Sequence, residues 1–84
     1  MHSLQVMFVM MAFAESPGVQ IQGFFFFRTI AAGSTSVRKK VMDAGVEKLV
    51  LKAMTVHAED QRLLDYGKDC LTTVRQGKSE SGST

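Results

Sequence analysis

The chain reads as an all-α stack of short helical repeats, and three observations predict this. Val46, Leu49, Val50, Ala53 and Met54 recur at i, i+3, i+4, i+7 and i+8, which draws one apolar stripe along a helix and leaves Glu47, Lys48, Lys52 and Thr55 facing water. Gly45 stands between that helix and a shorter one before it, where a residue without a Cβ can take the left-handed conformation that turns the chain sharply. The pattern of apolar and capping residues also recurs at an offset of 44 residues, within the range of two- and three-helix repeats. On this reading the stretch Val37 to Met54 organises the chain, and the rest repeats or flanks it.

Composition sets the bounds. Eighty-four residues make at most one small domain, close to the size at which a single core offsets chain entropy only marginally. The hydrophobic fraction of 45%, with six Phe and six Met, is ample for a core and generous for a lone monomer. A net charge of +2, with both signs spread along the chain, carries no electrostatic footprint for nucleic acid or an anionic membrane. Cys70 alone forms no internal disulfide, and with only His2 and His57 beside it the usual zinc arrangements are excluded, so no metal or cofactor is expected. The lone cysteine points to an intracellular, cytoplasmic chain, with the nucleus as a further possibility.

The first helix spans Leu4 to Ala14 and is apolar nearly all round, as expected of a helix with neighbours on most sides or of one that lacks them. The same run resembles the apolar core of a signal peptide, and Ala12-Phe13-Ala14 fits a small-x-small cleavage site. The alternative is therefore a small secreted or membrane-associated helical protein with a signal at residues 1–14. Against it, no Lys or Arg precedes the run, and the 44-residue repeat assigns these residues to the fold. Eleven residues are also too few to span a bilayer.

A second helix starts at Pro17, capped by Ser16, because proline lacks an N–H that would have no partner in the first turn. It runs to about Ala32 with Val19, Gly23, Phe26, Phe27 and Ile30 as its stripe, Phe24 and Phe25 pointing elsewhere, and Gly33 ending it in a left-handed turn. Ser34 or Ser36 caps a short third helix carrying Val37, Val41 and Met42. The fourth helix is Val46 to Val56. After the polar break His57-Ala58-Glu59-Asp60, Asp60 caps a fifth that runs to about Arg75 with Leu63, Gly67, Cys70, Leu71 and Val74 on its apolar side.

Subtracting 44 from that last stripe returns the stripe of the second helix, position for position. The same offset pairs Val6 with Val50, Met10 with Met54, Ala14 with Ala58, Glu15 with Glu59, Gly23 with Gly67, Thr29 with Thr73 and Gly33 with Gly77. The repeat region therefore covers residues 1–76 as one full and two partial repeats, and 77–84 reads as a disordered polar tail.

The stretch GFFFFRTIAAGSTSVRKKVMDAGVEKLVLKAM resembles an armadillo repeat. In that family a long helix ending in a Leu-Ser-Asn-Ile-Ala type sequence precedes a short helix ending in Val-x-x-Ala-Gly. Phe27-Arg28-Thr29-Ile30-Ala31 and Val41-Met42-Asp43-Ala44-Gly45 hold those places here. The resemblance implies an armadillo-like helical repeat solenoid, short and of about five helices. It further implies a non-enzymatic scaffold that binds a peptide or protein partner in a groove lined by the long helices. The groove residues it implies are Gln22, Phe25, Arg28 and Thr29 in one copy and Tyr66, Asp69, Thr72 and Thr73 in the other. The family's groove tryptophan falls at Phe25 and Asp69 and its groove asparagine at Thr29 and Thr73, departures that weigh against recognition of nuclear-import signals. The exposed apolar ends of such a stack imply neighbouring repeats or self-association as further partners.

Other features have plainer explanations. Phe24 to Phe27 reads as packing against a neighbour before it reads as a docking patch, and Arg38-Lys39-Lys40 as a solvated helix face. Cys70, on an apolar stripe without a nearby His, reads as an inert buried thiol, and His57, Glu59 and Asp60 as a capping loop.

Overall fold

The structure is a computed structural model that describes residues 3–76; the polar tail expected at 77–84 lies outside them. Five helices follow in order: α1 Ser3–Ala12, α2 Pro17–Gly33, α3 Thr35–Asp43, α4 Val46–Val56 and α5 Gln61–Gln76. Among the described residues there is no strand.

Local chemistry sets most of the helix ends. Pro17 opens α2, and Ser16 Oγ accepts the Val19 N–H at 3.3 Å. Ser34 caps α3 by accepting from Val37, and Asp60 caps α5 by accepting from Leu63 at 3.0 Å. Gly45 has φ +91° with open space where a Cβ would stand, so its conformation rather than crowding requires glycine. Gly33 departs from expectation: it is the last helical residue of α2, and the break is made by Ser34 in extended backbone at φ −161°, ψ 129°. The first helix stops at Ala12, two residues short of Ala14, because the Phe13 carbonyl turns to accept the Ser16 N–H at 2.9 Å.

The centre of the molecule is α2, which packs against all four other helices and most extensively against α5. This corrects the expectation that Val37 to Met54 organises the chain. At 17 residues α2 is the longest helix, and it carries no charge from Pro17 to Phe27, so it can bury more than one side. Gly23 and Phe27 are buried as expected, whereas Val19, Phe26 and Ile30 are only half-buried. Gln20, Ile21, Phe24 and Ala31 join the core from a second side, and Phe24, expected to point elsewhere, is 1% exposed. The α5 stripe of Leu63, Gly67, Cys70, Leu71 and Val74 is buried in full.

The hairpins α1–α2 and α4–α5 are built alike at the 44-residue offset. Phe13 N–H donates to Val9 O, and His57 N–H to Ala53 O, both at 2.9 Å. Ser16 N–H donates to Phe13 O at 2.9 Å, and Asp60 N–H to His57 O at 3.0 Å. The capping bonds of Ser16 and Asp60 repeat at the same offset. Within each hairpin a methionine covers a bare glycine: a Cβ on Gly23 would stand 2.8 Å from Met10 Cγ, and one on Gly67 2.9 Å from Met54 Cγ.

Three polar side chains join these pieces. Buried Gln20 donates through Nε2 to the carbonyls of Met10 and Phe13, both at 3.0 Å, and so satisfies the end of α1. His57 Nε2 lies 2.9 Å from the Ala14 carbonyl; since a carbonyl only accepts, that nitrogen carries the proton and links the two hairpin turns. Arg38, expected on a solvated face, instead sends Nη1 to the carbonyls of Val74 and Arg75 at 3.2 and 3.1 Å and closes the end of α5.

Candidate functional site

The long helices α2 and α5 lie side by side, and this neighbourhood brings together four of the expected groove residues. The Phe25 and Tyr66 rings have centroids 4.8 Å apart at an interplanar angle of 59°, within the range of favourable tilted aromatic pairs. One turn further along, Arg28 Nε donates to Asp69 Oδ2 at 2.7 Å, with both side chains about half exposed. Positions 25 and 28 on one helix thus meet 66 and 69 on the other, as an i, i+3 spacing on each allows.

The remaining expected residues flank these pairs without joining them. Gln22, one turn before Phe25, and Thr29, next to Arg28, are exposed on α2. Thr72 is exposed, and its hydroxyl donates to the Lys68 carbonyl at 3.0 Å within its own helix, while Thr73 is half-buried. The surface therefore offers two aromatic rings, an amide and several hydroxyls around an ion pair whose charges offset each other.

Behind Asp69 the chain turns Cys70 wholly inward. Burial pushes its thiol up to about 12, the Asp69 carboxylate adds to the rise, and Arg28 opposes it. A thiol so placed stays protonated at neutral pH and makes a poor nucleophile. In the His57-Ala58-Glu59-Asp60 turn, Asp60 is used in capping α5 and His57 in the bond to Ala14. Among the described residues no group of three or more His, Cys, Asp or Glu side chains is placed to hold a metal. None of the described helices is long and apolar enough to cross a membrane.

The four consecutive phenylalanines divide between roles. Phe24 and Phe27 are core, and Phe26 is half-buried against Phe27 at 5.2 Å between centroids. Phe25 is the most exposed of the four, at 38%.

A second surface shares only Gln22 with the expected groove residues and lies where an apolar first helix was expected to want neighbours. Between α1 and α2 lies an open apolar groove of about 340 Å³, lined chiefly by Val6, Val9, Met10, Val19, Gly23 and Phe26. Leu4, Phe8, Met11 and Phe13 extend the exposed apolar area along α1. The signal for it was present in the sequence, in that α1 is apolar on nearly every side.

Compared with models of protein families, with characterised proteins and with solved structures, the chain has no match.

Proposed function

We propose that this chain is a non-enzymatic interaction module of armadillo-like repeats, which receives a peptide or protein partner along the ridge formed by α2 and α5. The observation that carries the reading is the meeting of Phe25 with Tyr66 and of Arg28 with Asp69. Two helices related by the 44-residue offset stand next to each other and display side chains at matching turns, which is how stacked repeats build an extended binding surface. Phe25, exposed, and Tyr66, half-buried, supply stacking area, and Gln22, Thr29 and Thr72 supply hydrogen-bonding groups beside them. An intracellular site of action goes with this reading, since a lone free thiol needs no oxidising compartment.

The secreted alternative loses support from the role of α1. Cleavage after Ala14 would remove Met10, 1% exposed, from the core and strip Gln20 and His57 of their acceptors at Met10, Phe13 and Ala14.

Panning a displayed library of extended peptides against the folded chain tests the interaction reading. Selected peptides should bind at least tenfold more weakly to Tyr66→Ala and to Phe25→Ala, and only slightly less well to Lys39→Ala, on the exposed face of α3. Peptides indifferent to residues 25, 28 and 66 would overturn it.

A further inference from the structure

We propose that the α1–α2 groove is a docking site for an uncharged amphipathic helix of another protein, one that sets an aromatic side chain between Val9, Val19 and Phe26, above the floor made by Met10 and Gly23. The molecule itself shows what covers such a groove. Its lining residues Val6, Val9, Met10, Val19, Gly23 and Phe26 correspond, 44 residues on, to Val50, Ala53, Met54, Leu63, Gly67 and Cys70. That second set is covered by α2, which lays Phe24 across the glycine: a Cβ on Gly67 would meet Phe24 Cε2 at 3.4 Å.

The effect of that cover is read directly from exposure. Ala53 is 6% exposed and its counterpart Val9 is 47%; Leu63 and Cys70 are fully buried, while their counterparts Val19 and Phe26 are half-buried. The glycine is covered by its methionine in both copies, and what differs is the surround, sealed by an aromatic helix at Ala53, Leu63 and Cys70 and open at Val9, Val19 and Phe26.

The chemistry of the occupant follows from which helix fits. On the side of α2 that seals α4–α5 stand Ile21 and Phe24, both buried. Their counterparts on α5 are Asp65 and Lys68, both exposed. A second folded copy of this chain, offering its α5 side head to tail, would bring an ammonium group onto the apolar floor where Phe24 belongs, and its own α2 is already engaged. The groove therefore calls for a foreign helix that resembles α2: uncharged over two turns, with an aromatic residue at the centre. The surface is distinct from the α2–α5 ridge except at Gln22. The proposal deepens the interaction reading but rests on the repeat geometry, so the two can fail separately.

The probe is a synthetic peptide of residues 16–34, which carries α2 with both of its caps and a lysine tag for solubility, titrated into the full 84-residue chain. One-to-one binding is expected, with shifts at the Val6, Val9 and Val19 methyl resonances. Affinity should fall at least tenfold when the peptide carries Phe24→Ala, and binding should be lost in chain variants Val9→Glu and Val9→Lys. Val9 is sufficiently exposed that both variants keep their helical signal and melting temperature. Tyr66→Ala, which tests the ridge, should leave this binding unchanged. Absence of binding, binding unaffected by either Val9 variant, or a concentration-dependent dimer abolished by both of them would overturn the proposal.

Discussion

Met54 lies against the bare Cα of Gly67, so close that a Cβ at residue 67 would stand 2.7 Å from its sulfur. The glycine is helical, so its role is to admit the thioether rather than to turn the chain. Gly67→Ala gains about 1 kcal/mol of helix propensity and costs about 1–3 kcal/mol of overpacking. The expected outcome is a net loss of stability, read as a lower urea midpoint. With Met54→Ala already in place the crowding is gone, and Gly67→Ala should then stabilise. A double-mutant cycle showing no change of sign would contradict this account.

Neighbouring phenylalanines should behave very differently. Phe24 is 1% exposed and Phe25 38%. Phe24→Ala should cost about 3–5 kcal/mol, a large part of the stability of so small a domain. Phe25→Ala should cost about 1 kcal/mol, mainly its contact with Tyr66. Thermal unfolding of the two variants measures the contrast, and equal losses would refute it.

Arg38 acts as a cap supplied by a different helix. Both bonds leave the single nitrogen Nη1, which serves the carbonyls of Val74 and Arg75 with one N–H each. Arg38→Ala should lower stability by about 1 kcal/mol, the bonds being partly exposed, and Arg38→Lys, whose ammonium also carries donors enough for two carbonyls, should recover part of it. Faster amide exchange confined to the last turn of α5 would locate the effect.

The Cys70 thiol predicts a pH dependence with a definite sign. Its pKa rises from 9.0 to about 12 on folding, so the unfolded chain gives up this proton first. Its contribution to stability is fully present below pH 9 and is lost as pH rises from 9 toward 12. Cys70→Ala should remove that part of the alkaline loss, so the wild type and the variant should converge in stability as pH rises. Parallel curves from pH 8 to 11 would show that the thiol does not titrate on unfolding. The same burial predicts slow alkylation of the native chain and fast alkylation in denaturant.

Much of the fold was legible because its signals are local. Ser16-Pro17, Gly45 and Asp60 act on their own backbone within a few residues, and each has the expected role. The α5 stripe was read in full because α5 is amphipathic, with its apolar residues confined to one side and polar residues elsewhere. The expected pairing of two long helices brought four of the eight groove residues into two contacts, Phe25 with Tyr66 and Arg28 with Asp69.

The amino-acid order thus carried helix number, the helix starts at Pro17, Val46 and Gln61, and the 44-residue correspondence of the hairpins, all of which depend on periodicity and on side chains bonding to nearby backbone. The choice among several apolar sides waited on the packed molecule. From Pro17 to Phe27 α2 carries no charge to mark its outside, so its neighbours select Phe24 and Ile21 for the core and leave Val19 and Phe26 half open. The same holds for long-range polar partners. Gln20, Arg38 and His57 satisfy carbonyls 10, 36 and 43 residues away at the farthest or nearest, and no local pattern marks a side chain for an acceptor that only folding brings within reach.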